Sequence, residues 1–166
     1  MKITEKWLNK KNACADGKNW VLENYPDTDG TELVENLIRA QKLDWANWLI
    51  VRIMARPQYL AYAIFAAEQV IDFFENKYPH DRRPWLAIDA AKKSLADDTS
   101  RNSAAAGDAM AARAAARAAG GAAWAVAETA GAAWAVAGTA GAAGDVIKIK
   151  ILKYGTGLLK KIREIE

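Results

Sequence analysis

Asp27 and Asp29 stand two residues apart in Asp27-Thr28-Asp29-Gly30-Thr31, a spacing at which one carboxylate can attack phosphorus while the second moves the proton. A nucleophile of that kind has to emerge from an apolar strand, whereas Glu23-Asn24-Tyr25-Pro26 leads into this one as the end of a helix. The pair is therefore expected in a solvated turn, with Thr31 capping the helix that follows. Gly155-Thr156-Gly157 followed by Lys160 carries the residue types of a phosphate loop, but it lacks the full spacing and lies inside a helical pattern. His80 is the one histidine and Cys14 the one cysteine, which rules out a multi-histidine metal site and an internal disulfide. His80, beside Asp81, is expected at the surface. No catalytic residue, metal or cofactor is expected.

What remains is the chemistry of binding. Arg113 and Arg117 are four apart and share a helical face, and Glu128 is the lone acid near them. An internal ion pair or a solvated face is their ordinary role. Together with Trp124 and Trp134 they form the candidate partner-binding set, because Trp and Arg dominate binding hot spots. Lys148, Lys150, Lys153, Lys160, Lys161 and Arg163 crowd the C-terminal segment. A solvated helix face is the favoured reading of that run, and a basic face for nucleic acid or a nucleotide signal is the alternative. A net charge of +3 is too small to decide for nucleic acid.

These residues have to be positioned by helices. At 166 residues the chain can bury roughly 70% of its unfolded surface without a disulfide or metal staple. Its 52% hydrophobic and 26% charged content is that of a globular protein, and four prolines in the whole length leave room for long helices. Thr4 is the expected N-cap of a short first helix, with Ile3 stapled onto Leu8, and Asp16 the cap of a second that ends at Pro26. Thr31 and Asp44 are expected to cap helices running to about Gln41 and Met54. Pro57 opens a longer one, along which Leu60, Ile64, Ala67, Ile71, Phe74 and Tyr78 recur at spacings of four and three. After Pro84, Ile88, Ala91 and Leu95 form the inner face of another. The last segment alternates Ile147, Ile149 and Ile151 with lysines like a strand. Ile147, Ile151, Tyr154, Leu158, Ile162 and Ile165 nevertheless fit helical spacing over a longer span, so a helix is predicted there.

Between lies an Ala/Gly tract, 103–144, in which GAAWAVAETA is followed by GAAWAVAGTA. Each helical glycine costs about 1 kcal/mol relative to alanine, so packing must offset a weak intrinsic helix propensity. Small residues let helix axes approach closely, and the chain's seven tryptophans are the large partners that would fill the remaining space. The ten-residue period leaves Trp134 about 80° behind Trp124, so the tract either winds round its neighbours or breaks, preferably at Gly120-Gly121. It lacks the Leu, Ile and Phe of a membrane span. The expected fold class is all-α: a compact multi-helix bundle with a tightly packed Ala/Gly-rich helical hairpin. A short-helix module over 1–55 and a helical domain over 56–166 are expected to form one unit. The single cysteine and a start, MKITEKWL, without a leader pattern predict a cytoplasmic protein.

Tyr59-Leu-Ala-Tyr-Ala-Ile-Phe-Ala-Ala-Glu68, Phe73 to Tyr78-Pro79, Asp81-Arg82-Arg83-Pro84 and Ala87-Ile88-Asp89-Ala90-Ala91 resemble the immunity proteins of bacterial polymorphic toxin systems, in which an alanine-rich tract also follows. This chain departs from them in carrying Trp, Val and Gly where the family intersperses His, Tyr and Arg. Trp7, Ala13-Cys14, Gly17, Trp20 and Asn24-Tyr25-Pro26 are similar to a short N-terminal module of phage-encoded proteins. The resemblance implies a non-enzymatic inhibitor that binds a toxin. With the phage-like module, it also implies a counter-defence protein of the anti-CRISPR kind that binds a host effector. A protein effector or toxin is the expected partner, with a homo-oligomer or nucleic acid as further partners and no membrane.

Overall fold

The computed structural model describes residues 1–72, 75, 79–80, 82, 85–86, 88–89, 91–93, 95–96 and 142–163. Among these the fold is all-α: α1 (Glu5–Lys10), α2 (Ala15–Asn24), α3 (Gly30–Arg39), α4 (Leu43–Ile53), α5 (Arg56–Glu68) and α6 (Ala142–Arg163). The one extended pairing among them is an isolated antiparallel bridge between Lys2 and Asp29. Two compact units divide the chain, one formed by Met1–Met54 with Leu152–Glu166 and the other by Ala55–Ile151.

In the first unit, Thr4 caps α1 as its position predicts, its hydroxyl accepting from the Trp7 N–H at 3.2 Å, and Ile3 and Leu8 are both buried. The other three expected caps are displaced. Asp29, not Thr31, caps α3: its Oδ1 accepts from the Thr31 N–H at 2.9 Å and its Oδ2 meets the terminal ammonium of Met1 at 2.9 Å. The reason is the short antiparallel clamp, in which Ile3 N–H donates to the Thr28 carbonyl and Gly30 N–H to the Met1 carbonyl. The clamp holds Asp29 extended at the N-cap, and Thr31 falls inside the helix, buried. Asp16 and Asp44 likewise sit in the first turns of α2 and α4, where a carboxylate favours the helix dipole, while Cys14 and Lys42 occupy the N-cap positions.

Those offsets arise at the preceding helix ends. Asn12 (φ 55°) follows α1 and Gln41 (φ 57°) follows α3 in the left-handed conformation that usually takes glycine. Ala13 N–H returns to the Leu8 carbonyl at 3.0 Å and Lys42 N–H to the Leu37 carbonyl at 2.9 Å, so both ends close as Schellman motifs. α3 then packs on α4, and α1 on α2. The buried positions Leu33, Val34 and Leu37 of α3 and Leu43, Ala46, Leu49 and Ile50 of α4 recur at helical spacing.

In the second unit, α5 carries Pro57 in its first turn, and the Gln58 side chain accepts from the Ala55 N–H at 2.9 Å. The expected continuous helix through Ile71 is interrupted. Gln69 N–H is shared between the Phe65 and Ala66 carbonyls and Val70 N–H turns to Ala67, while the Gln69 amide itself donates to the Phe65 carbonyl. This competition tightens the last turn and ends α5 at Glu68. The buried stripe survives the break: Ala63, Ile64, Ala67 and Ile71 form one core with Ile88 and Ala91, and Trp85 and Leu95 pack against it. The positions predicted to continue that stripe, Phe74 and Tyr78, lie outside the described residues, as does Pro84.

The C-terminal segment is helix, and α6 runs unbroken through Gly155 and Gly157. Among its described residues the buried positions are Gly144, Ile151, Leu152, Gly155, Thr156 and Leu159, whereas Tyr154 is exposed and Leu158 half-buried. The inner face is thus turned by about one residue from the one the isoleucines and leucines alone predict. On that face the Thr156 hydroxyl donates to the Lys153 carbonyl at 2.8 Å.

Candidate functional site

The first unit holds a cavity of about 360 Å³ among α1, α2, α3 and α4. Leu8, Val21, Leu33, Leu37 and Leu49 supply its apolar wall, and Trp45 and Trp48 line it from α4. The two Schellman ends fix its other side, since Asn12, Ala13, Cys14 and Asp44 lie at or just beyond those left-handed turns. Gly17 keeps the space open. A Cβ there would lie 3.1 Å from the Cys14 Sγ and 3.4 Å from the Trp45 ring.

Four half-buried tryptophans form an aromatic belt here, of which Trp45 and Trp48 line the cavity and Trp7 and Trp20 pack against them. Trp7 meets Trp48 edge-on at 6.2 Å between centroids, and Trp20 lies 5.9 Å from Trp45 and 5.5 Å from Tyr25. Trp45 and Trp48, three residues apart, are neighbours on one face of α4 and join the two pairs. Cations cover the ring faces: Arg52 is 4.1 Å from the Trp48 centroid, Lys42 is 5.0 Å from Trp45 and Lys11 is 6.0 Å from Trp7. The Arg52 guanidinium also donates to the Trp48 carbonyl at 2.9 Å. Partial burial lowers its pKa from the ordinary value and leaves it a cation at neutral pH.

The second unit has a different depression of about 410 Å³, lined among the described residues by Glu75, Pro79, Arg82 and Trp85. The Trp85 indole N–H donates to the Glu75 carboxylate. The Leu86 N–H donates to the Arg82 carbonyl at 3.1 Å, which ties Arg82 to the start of the helical turn bearing Trp85. Pro79 and Arg82 belong to the Tyr-Pro and Asp-Arg-Arg-Pro elements singled out from the sequence.

Arg113, Arg117, Trp124, Glu128 and Trp134 lie outside the described residues. Of the basic run, Lys150, Lys153, Lys160 and Lys161 are exposed and fall within about 100° of one another around α6, while Lys148 is half-buried and lies off that arc. Lys160 is already paired with Glu35 at 2.5 Å. The side chain of Arg163 lies outside the described residues. His80 is exposed, as expected. The Asp27/Asp29 pair is a capping turn, with Asp27 exposed at φ 51° and Asp29 holding backbone N–H groups. Sequence reasoning missed the Trp7/Trp20/Trp45/Trp48 belt. The signal was present in the 45/48 spacing with Lys42 and Arg52 at either side, but Trp7 and Trp20 join them only through contacts between helices.

Among the described residues no group of three or more His, Cys, Asp or Glu side chains is placed to hold a metal ion, and no helix is long and apolar enough to cross a membrane. The described surface is that of an all-helical protein with depressions shaped by Trp, Arg and Lys. Residues 51–162 match the family described as Imm-5 like putative immunity protein, and the chain belongs to that family. Residues 1–56 match the YdhT N-terminal domain. No curated protein and no solved structure matches the chain.

Proposed function

We propose that this protein is a non-enzymatic inhibitor that neutralises a toxin by stoichiometric binding, and that the depression at Glu75, Pro79, Arg82 and Trp85 is part of the contact surface. The observation that carries the reading is that Pro79 and Arg82, two residues of the family-like elements, line an open depression together with a tryptophan. Arg and Trp are the residue types that anchor interfaces, and an exposed guanidinium beside an aromatic edge can pair with a carboxylate of the partner. The partner is read as a toxin rather than a host defence effector, because the matched family is described as one of immunity proteins.

The test is a titration of a candidate bacterial toxin whose activity can be assayed, with a host nuclease effector assayed in parallel. Toxin activity is expected to vanish at one equivalent, and Arg82→Ala to weaken the complex by about tenfold or more while leaving the helical circular dichroism unchanged. Protection at a small fraction of one equivalent would instead mean turnover, and an Arg82→Ala variant of full affinity would remove the depression from the interface. Inhibition of the host effector alone would reassign the partner.

A further inference from the structure

We infer that the N-terminal module carries a second binding surface, at the tryptophan belt of the first unit, which takes an acidic protein segment whose one apolar side chain enters the cavity between Trp45 and Trp48. The belt residues Trp7, Trp20, Trp45 and Trp48 all precede the segment matched to the immunity family, so this surface does not depend on the toxin-binding reading.

Charge sets the first requirement for the occupant. Lys11, Lys42 and Arg52 lie over the rings of Trp7, Trp45 and Trp48, and none of the three is paired with a carboxylate among the described residues. An indole face holds a cation through its quadrupole without neutralising it, so three positive charges remain on an apolar platform that lowers their hydration. A complementary surface is anionic. Polarity of the cavity sets the second requirement. Its wall is made of Leu8, Leu33, Leu37, Leu49 and two indoles, with Asp44 the single carboxylate among the described lining residues, so it favours a hydrocarbon or aromatic side chain.

Single-stranded nucleic acid also meets basic, aromatic surfaces, by stacking bases on ring faces. Here those faces are occupied. Arg52 sits at stacking distance on Trp48, Lys42 covers Trp45, and Trp7 turns perpendicular to Trp48 with an interplanar angle of 89°. A base would have to displace the protein's own cations and then place its polar edges in an apolar cavity, where they would go unsatisfied. An acidic segment leaves the cations where they are and completes their pairing.

The full-length protein is titrated with labelled peptides of the form Asp-Glu-Asp-X-Asp-Glu-Asp, with X as Leu, Phe, Met or Trp, and binding is read by fluorescence anisotropy. Controls are the same peptides with Gly at X, the charge-reversed Lys-Arg-Lys-X-Lys-Arg-Lys set, and oligo-thymidylate. At least one apolar-anchored acidic peptide is expected to bind about tenfold or more tighter than its Gly and its basic counterparts. It should also slow alkylation of Cys14, an exposed thiol on the cavity lining. Two variants test the two requirements separately. The double change Lys42→Gln with Arg52→Gln, on the surface, and Ala13→Leu, which fills the cavity, should each weaken binding by about tenfold. Equal binding of the basic peptides, no binding by any acidic peptide, or affinity unmoved by both variants would overturn the inference. Preference for oligo-thymidylate would do so as well and would assign the belt to nucleic acid.

Discussion

The two depressions are close in size, about 360 and 410 Å³, and opposite in how they use tryptophan. In the first unit Trp45 and Trp48 present their ring faces, and Lys42 and Arg52 lie over them. In the second, Trp85 presents its nitrogen edge, and its N–H donates a hydrogen bond to the carboxylate of Glu75. An indole is negative over its face and a hydrogen-bond donor at its nitrogen. One residue type therefore collects cations or carboxylates according to which part of the ring the backbone leaves accessible. The backing differs too. Leu33, Leu37, Leu49 and Ile50 fill the first unit with branched side chains, whereas among the described residues of the second unit Ala63, Ala67 and Ala91 share the core with Ile64, Ile71 and Ile88.

If the first unit depends on filled volume, Leu37→Ala, at a position 1% exposed, should destabilise it by about 2 to 5 kcal/mol in urea unfolding. A loss under about 1 kcal/mol would erase the contrast between the units. If the second depends on close approach, enlarging a side chain should do the damage there. Ala91→Leu, at 0% exposure, is expected to cost about 1 to 3 kcal/mol, and a gain in stability would reveal slack in that core.

A pH dependence sharpens the same contrast, because the second unit buries a titratable phenol. Burial pushes the Tyr62 pKa up, so on raising the pH the unfolded chain loses that proton before the folded one does. Its contribution is intact below the ordinary tyrosine pKa of about 10 and falls by about 1.4 kcal/mol per pH unit above it. Unfolding measured between about pH 9 and 11 should show a steeper alkaline decline in the native protein than in Tyr62→Phe, and identical slopes would refute the assignment. The smallest effect is expected at the clamp of the first unit. Asp29→Ala removes the cap on α3 and should cost about 1 kcal/mol, while Asp29→Asn, which can still accept from the Thr31 N–H, should recover most of it.

Much of the helical layout was legible because it is written in short-range signals. Thr4 before an acidic first turn, Pro57 at a helix start and the Leu60, Ile64, Ala67 spacing all act within one or two turns, and the structure places them as read, while Ile71 stays buried beyond the break after Glu68. The caps were misplaced for an equally physical reason. Asn12 and Gln41 close their helices in a conformation the sequence advertises only weakly, and Asp29 caps α3 because the Met1–Ile3 segment pairs with it from far along the chain. Of the candidate sites, the Asp-Arg-Arg-Pro element was visible as a motif. Its neighbour Glu75 was not, since ten residues separate it from Trp85 and only a folded turn brings them together.

The amino-acid sequence by itself determined that the chain is helical, to within about two residues where the first helices start, and that it belongs among the immunity-like proteins, because periodicity, caps and motif order are local properties of a string. The tertiary structure alone decided which face of α6 turns inward, that Lys160 is held by Glu35, and that Lys42 and Arg52 lie over tryptophan rings. Those outcomes depend on which helices meet and at what rotation, and burial free energy is settled between elements rather than along one of them.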